Sequence, residues 1–155
     1  FQHPEKLIPL VITNALQYRE LPIYGTGINI RDWIHVDDHC NGILSALEKG
    51  TRGNVYNLGG NNELTNITIV KMILSILNRP ISLIQYVKDR PGHDLRYSIN
   101  SSKAQLQLQW NPQKSFTSGL EETVGWYKKN RKWWENIKDK EFENYYKNQY
   151  ESKLR

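Results

Sequence analysis

Apolar and polar positions along the chain change period several times, and each change predicts an element. In "EKLIPLVITNALQ", Leu7, Leu10, Val11 and Ala15 recur at helical spacing. Pro9 is tolerable only in a first turn, so this helix starts near Lys6. "LPIYGTGINIRDWIHV" alternates apolar and polar residues around a Gly25-Thr26-Gly27 turn, the pattern of two short strands, with Arg31 just beyond the turn. Asp37 or Asp38 is placed to cap a following helix, whose stripe is Cys40, Ile43, Leu44 and Leu47 and whose stop is Gly50. "NVYNLGG" predicts a short buried strand ending in glycines, and a helix followed by such a strand is the mark of a parallel α/β layer.

Thr65 or Asn66 caps "ITIVKMILSILN", with Ile69, Val70, Ile73, Leu74 and Leu77 as its buried stripe and Pro80 closing it. "SLIQYV" is the next strand. A short helix from Ser101, a turn at Asn111-Pro112 and an amphipathic helix from about Thr117 to Asn130 follow. The tail from Lys132 is helical in pattern, highly charged and rich in Tyr, Phe and Trp. No internal repeat or low-complexity linker is visible. The order is α/β in character, but the strands make an incomplete sheet, and the missing portion is expected before Phe1.

Composition narrows the picture. At 155 residues and 38% hydrophobic content the chain is long enough for one domain whose core needs no disulfides. Cys40 is the single cysteine, which leaves no intrachain bridge and no cysteine-pair zinc frame, so a reducing, cytoplasmic setting is expected. No apolar run approaches the roughly 18 residues of a membrane span, and "FQHPEKLIPL" lacks the order of a signal peptide. The start at Phe1 rather than Met is expected of a piece of something longer. The net charge of +5 is spread along the chain and dense only near "KKNRKWW", without a nucleic-acid-binding module around it. A compact anionic ligand fits that distribution better than a polyanion.

Catalytic patterns are few. There is no nucleophile elbow and no phosphate-loop glycine pattern, and "YGTGIN" lacks the third glycine and following helix of a dinucleotide fingerprint. "RDWIHVDDH" offers His35, Asp37, Asp38 and His39 to a metal, but the two aspartates stand where a helix needs a cap, and that reading is preferred. Arg31 presents a planar fork to a phosphate, or forms a salt bridge with Asp32 or Asp37. Asn62 and Asn66 either bond a ligand or serve turns and caps. Tyr24 either offers a ring face to a base or fills the core.

The sharpest stretch is "VKDRPGHDLRYSIN", Val87 to Asn100. Pro91 and Gly92 force a loop, Arg90 and Arg96 offer phosphate forks, and His93 adds a donor that also stacks. Asp89 and Asp94 either orient those cations or meet sugar hydroxyls. A solvated charged turn is the alternative.

Taken in order, "HPEKLIPLVITNAL", "LPIYGTGINIRDWIHVDDHCNGI", "GNVYNLGGNNELTN" and "VKDRPGHDLRYSIN" closely resemble the carboxy-terminal half of the dTDP-glucose 4,6-dehydratases, from Phe1 to about Trp134. The "R-x-[FW]-x-x-V-x-D" stretch and the "N-[ILV]-G" strand are shared with other extended short-chain dehydrogenases, whereas "PEKLIP" and "DRPGHD-x-RY" resemble this dehydratase group in particular. The resemblance implies an α/β fold: the carboxy-terminal substrate-binding part of an extended short-chain dehydrogenase, plus the last helix and strand of its Rossmann sheet within about residues 35–60. It implies an enzyme that oxidises C4 of the sugar with NAD, eliminates water across C5 and C6, and returns the hydride to C6.

Carried over by position, the implied substrate contacts are Lys6, Leu7, Pro22, Ile23, Tyr24, Arg31, Asn66, Asp89, Arg90, Pro91, Gly92 and His93, with Tyr150 from the loosely similar tail closing over the ligand. The fingerprint that holds NAD, the Tyr-x-x-x-Lys pair, the sugar-polarising Thr and the Asp-Glu acid/base pair all lie upstream in the family, so this chain is expected to bind a dTDP-sugar but not to turn it over. No catalytic residue, metal, nucleic acid or membrane is implied. A homodimer is implied for the full-length enzyme, and exposed apolar surface is expected where the absent part packs. The alternatives are a UDP-sugar epimerase or decarboxylase of the same superfamily, and a non-catalytic basic module that binds RNA or protein.

Overall fold

A computed structural model describes residues 2–150. The chain divides into two compact units, Phe1–Asn29 with Thr65–Asp94 and Glu121–Arg155, and Ile30–Leu64 with Leu95–Leu120.

The first unit is built on two helices behind a small sheet. Helix α1 (Leu7–Leu16) packs against β1 (Leu21–Tyr24) and against α3 (Asn66–Leu77). Its proline falls in the first turn as expected, where no intrahelical N–H is lost. Thr65 caps α3 by accepting from the Thr68 amide at 3.3 Å, and Asn78 ends it in the left-handed conformation. The stripe Ile69, Val70, Ile73, Leu74 and Leu77 is buried in full. A 3-10 turn (Ile81–Leu83) leads into β4 (Ile84–Val87), which pairs with β1 in parallel, Leu21 opposite Ile84 and Tyr24 opposite Val87.

Parallel pairing puts the carboxyl ends of both strands at one edge. Leu21 and Ile23 face the α1–α3 core, and Val87 and Tyr24 pack into a cluster with Leu10, Phe142, Tyr146 and Tyr150. The last three belong to α7 (Lys140–Tyr150), which follows α5 (Phe116–Lys129) and α6 (Arg131–Ile137). Trp134, Phe142, Tyr146 and Tyr150 of the aromatic tail are therefore core, and the tail is held to α1 and the residues after it by buried and half-buried polar contacts. Arg19 grips Glu143 through two bonds of 2.6 and 3.0 Å, Asn14 donates to the Tyr146 hydroxyl at 3.1 Å, and the Lys138 ammonium donates to Asn14 Oδ1 and Gln17 Oε1, both at 2.9 Å. Burial pulls the Lys138 ammonium down to a pKa of about 8.

In the second unit β2 (Ile30–Asp32) pairs with β3 (Glu63–Thr65), and α2 (Val36–Lys49) packs on α4 (Ser102–Leu108). Both strands flanking the Gly25-Thr26-Gly27 turn exist, but they do not form a hairpin: β1 takes β4 as its neighbour and β2 takes β3. Two further expectations fail here. The cap of α2 is His35, whose Nδ1 accepts from the Asp37 amide at 3.2 Å. Asp38 is buried within the helix, where its carboxylate accepts from the Gln113 and Lys114 amides, each at 3.0 Å, so it braces a neighbouring loop. Residues 54–60 are not a strand, because among the described residues no strand lies beside them to take up their backbone bonds. Val55 is 77% exposed.

The stripe of α2 is likewise uncovered. Cys40 is exposed, Ile43 and Leu44 are half out, and Leu47 is 81% exposed. The helix turns its other side to a cluster of Ala46, Tyr56, Leu58, Ala104, Leu108 and Trp110. Among the described residues this face is exposed apolar surface.

Candidate functional site

The edge at which β1 and β4 both end is where parallel sheets present loops to ligands. After β1 the chain turns at Gly25, whose φ is +54° and whose amide donates to the Val87 carbonyl at 2.9 Å. A Cβ there would stand 2.9 Å from Asp89 Oδ2, so glycine lets the loop after β4 close onto the turn after β1. That second loop is shaped by its own sequence. Pro91 and Gly92, with φ +67° at Gly92, occupy the centre of a turn closed by the His93 amide on the Arg90 carbonyl at 3.2 Å, the arrangement of a type II turn.

Within this loop Asp89 Oδ1 accepts from the Arg90 amide at 2.8 Å and from His93 Nδ1 at 2.7 Å. The His93 bond is the main reason the Asp89 carboxyl titrates below its ordinary range. It also fixes the imidazole, whose side chain is only 5% exposed, with Nδ1 engaged by the carboxylate.

Tyr24, the last residue of β1, is the hub. The Arg90 guanidinium carbon stands 5.0 Å over its ring, the His93 ring meets it edge-on at 6.1 Å, and Tyr150 packs at 5.7 Å on a tilted plane. Gln149 donates through Nε2 to its hydroxyl. The sequence left Tyr24 between a ring face for a base and a place in the core; in the fold its ring packs against the aromatic cluster and carries the Arg90 guanidinium.

The remaining expected contacts divide. Lys6 is the residue before α1 and pairs with Glu5 at 3.0 Å, and Leu7 opens the helix. Burial and the charge of Glu5 raise the Tyr145 hydroxyl, while Lys6 and Arg90 oppose them, so Tyr145 lies among these charges. Pro22 is buried and helps line a cavity of about 290 Å³ with Glu20, Gln85, Val87, Tyr146 and Tyr150. Ile23 spends its side chain in the core and has only backbone to offer a ligand. Asn66 begins α3, and its carboxamide makes no hydrogen bond among the described residues. The amides of Asn66, Ile67 and Thr68 are already taken by Asn29, Gly27 and Thr65. That helix start therefore offers no empty amide cradle in its first turn.

Arg31 belongs to the second unit, on β2. Its Nη1 donates to the Ile30 carbonyl at 2.7 Å and its guanidinium lies 4.4 Å over the Tyr97 ring. Both carboxylates weighed as its partners have other work: Asp32 accepts from the Gly60 and Asn62 amides, and Asp37 pairs with the Lys114 ammonium at 3.2 Å. Asn62 follows the turn reading, donating to the Trp33 and Gly60 carbonyls. Arg96 is not a phosphate fork in this structure, because Glu63 holds it through Nε at 2.7 Å and Nη2 at 2.6 Å.

Two members of the site were not legible in the sequence. Gln149 and Tyr145 sit in a charged helical tail whose pattern marks one buried face but not the residues at its edge. Their only signal was a polar side chain beside aromatics at helical spacing.

The glycine turn does not fit a dinucleotide. It leads into β2 rather than a helix, and the Asp89 carboxylate fronts it. No step involving such a cofactor is assigned to this chain.

A family model described as GDP-mannose 4,6 dehydratase matches residues 1–123. A dTDP-glucose 4,6-dehydratase of Escherichia coli is 45% identical over 150 residues, covering 90% of this chain and 41% of that protein. Of solved structures, the dTDP-glucose 4,6-dehydratase of Bacillus anthracis in complex with NAD is 51% identical with a TM-score of 0.84, covering 88% of this chain and 43% of the other. The dTDP-glucose 4,6-dehydratase of Streptomyces venezuelae, with NAD and TYD bound, is 49% identical with a TM-score of 0.86, covering 88% and 42%. The chain thus spans about two fifths of the length of the relatives it matches.

Proposed function

The chain belongs to the family described as GDP-mannose 4,6 dehydratase, and we propose that it supplies the nucleotide-sugar-binding part of a dTDP-glucose 4,6-dehydratase. The observation that carries this reading is the convergence of Arg90, His93 and Asp89 on Tyr24 at the common carboxyl edge of two parallel strands. That constellation pairs a cationic fork and an imidazole with an aromatic face, which suits a diphosphate attached to a base.

On this reading Arg90 and His93 meet the diphosphate, Tyr24 and Tyr150 lie beside the base, and Lys6, Leu7, Pro22, Ile23, Asn66, Asp89, Pro91 and Gly92 line the rest. By resemblance to the family, Arg31 is a further phosphate contact. The full-length enzyme uses NAD, held outside this chain, to oxidise the sugar at C4, eliminate water across C5 and C6, and return the hydride to C6 as a cytoplasmic homodimer. Residues from about 35 to 60 complete its Rossmann sheet, which accounts for the bare face of α2 and the absence of a strand at 54–60 in this chain. This chain contributes binding and orientation and no proton or hydride transfer.

Isothermal titration with dTDP tests the reading in the protein at its natural length. Replacing Arg31 or Arg90 by Ala weakens binding more than tenfold, and affinity unchanged in both variants overturns the assignment of phosphate contacts. Product analysis separates this reaction from a UDP-sugar epimerase, since only the dehydratase yields a 4-keto-6-deoxy sugar.

A further inference from the structure

We propose that Gln149 is a positioning residue for nucleotide binding, its carboxamide holding the Tyr24 hydroxyl and so fixing the ring against which Arg90 and His93 pack. The inference rests on the binding role given to that loop above.

Tyr24 needs an outside restraint. It is the last residue of β1 in a sheet of only two strands, and the next residue is the left-handed Gly25. Its ring is the surface that orders the exposed Arg90, so any rotation of Tyr24 carries the guanidinium away from its place. A half-buried phenol also requires partners for its hydroxyl, and both Gln149 and the neighbouring Tyr150 bond it from α7.

Gln149 is suited to supply the restraint because its helix is anchored elsewhere. Glu143 ties α7 to Arg19, and Tyr146, one turn before Gln149 on the same face, is bonded to Asn14 and to the Glu20 carbonyl. Tyr150, the next residue, packs beside the Tyr24 ring and is only 6% exposed. The carboxamide therefore stands on a fixed element and reaches a group that touches ligand, as a supporting residue should.

A double-mutant cycle in the protein at its natural length provides the test. Gln149→Leu and Tyr24→Phe each weaken dTDP binding about five- to tenfold, and the double variant is no weaker than Tyr24→Phe alone. In turnover of dTDP-glucose the loss falls on KM and spares kcat. Losses that multiply in the double variant, or a loss confined to kcat, overturn the proposal. Should Gln149→Leu loosen α7 and lower the melting temperature, Tyr24→Phe tests the hydroxyl with every α7 residue in place, although it removes the bond to Tyr150 as well. Unchanged dTDP affinity in Tyr24→Phe then overturns it. If the unaltered protein does not bind dTDP, the nucleotide reading fails instead. The ligand-free crystal structure of Gln149→Leu still judges Gln149: a displaced Tyr24 ring supports its role, and an unmoved ring refutes it.

Discussion

The guanidinium of Arg90 lies 5.0 Å from the centre of the Tyr24 ring, although Tyr24 ends β1 and Arg90 stands in the loop that follows β4. Parallel pairing of β1 with β4 is what brings them together, since it delivers Tyr24 and the residues after Val87 to one edge. A guanidinium over a phenol is attracted by the ring quadrupole by about 0.5–1 kcal/mol at an exposed position and keeps its planar fork available to an anion.

Arg90→Lys separates charge from shape. The ammonium keeps the positive charge but neither lies flat on the ring nor bonds a phosphate through two parallel donors. Affinity for dTDP falls about three- to tenfold in Arg90→Lys and further in Arg90→Ala. Equal affinities for the Lys variant and the unaltered protein, measured by titration calorimetry, contradict the fork.

Gly25→Ala strains the turn twice, through its positive φ and through the Asp89 carboxylate that the new methyl would meet at 2.9 Å. Chemical denaturation is expected to show a loss of about 1–2 kcal/mol. Gly53→Ala is the control: it carries a positive φ of +81° with nothing within 4 Å, so it bears only the backbone term. A smaller loss at Gly25 than at Gly53 refutes the close packing of the two loops.

Lys138 makes stability depend on pH in an uncommon direction. Its ammonium titrates at about 8 in the fold, below the ordinary lysine value of 10.5, chiefly because it is buried. Between those values the unfolded chain binds more protons, so this group adds stability as pH rises from about 8 towards 10, and the gain is lost as pH falls back through 8. Lys138→Met lacks that rise. Melting temperatures of the two proteins from pH 7 to 10 check it, and parallel curves exclude it. Tyr127 acts oppositely but later, since burial pushes its hydroxyl up to about 12 and its effect begins near its ordinary value of 10.

Leu47→Arg tests what α2 faces. In the 155-residue chain the side chain is 81% exposed, and the change costs within about 0.5 kcal/mol. If residues 35–60 complete a Rossmann sheet in the longer enzyme, the same substitution there costs about 2–4 kcal/mol, because an unpaired guanidinium is forced against apolar neighbours. Equal costs in both lengths would falsify that assignment.

Sequence periodicity served best where a helix buries one face against its own unit. All five stripe residues of α3 are core, and its cap and stop fall where their side chains require. The same reasoning located α2 but not its surroundings, since a stripe announces that something is to be covered without saying by what. Residues 54–60 show the limit for strands, whose hydrogen bonds belong to a neighbour as much as to themselves. At the site, the Pro91-Gly92 turn and the pairing of Asp89 with His93 follow from local chemistry. The demotion of Arg96 does not, because its partner Glu63 lies far away in sequence and only the fold brings them together.

The parallel β1–β4 pair also dictates an order of assembly. A strand that must run in the same direction as its partner cannot be joined to it by a tight turn, and here everything from Gly25 to Leu83 emerges before the register can close. A nascent chain carries Tyr24 long before Arg90, and Arg90 long before Gln149. The edge that joins Tyr24 to the Arg90 loop is accordingly among the last parts to become native, and a ribosome stalled before α7 displays the cationic loop on a platform that is not yet latched.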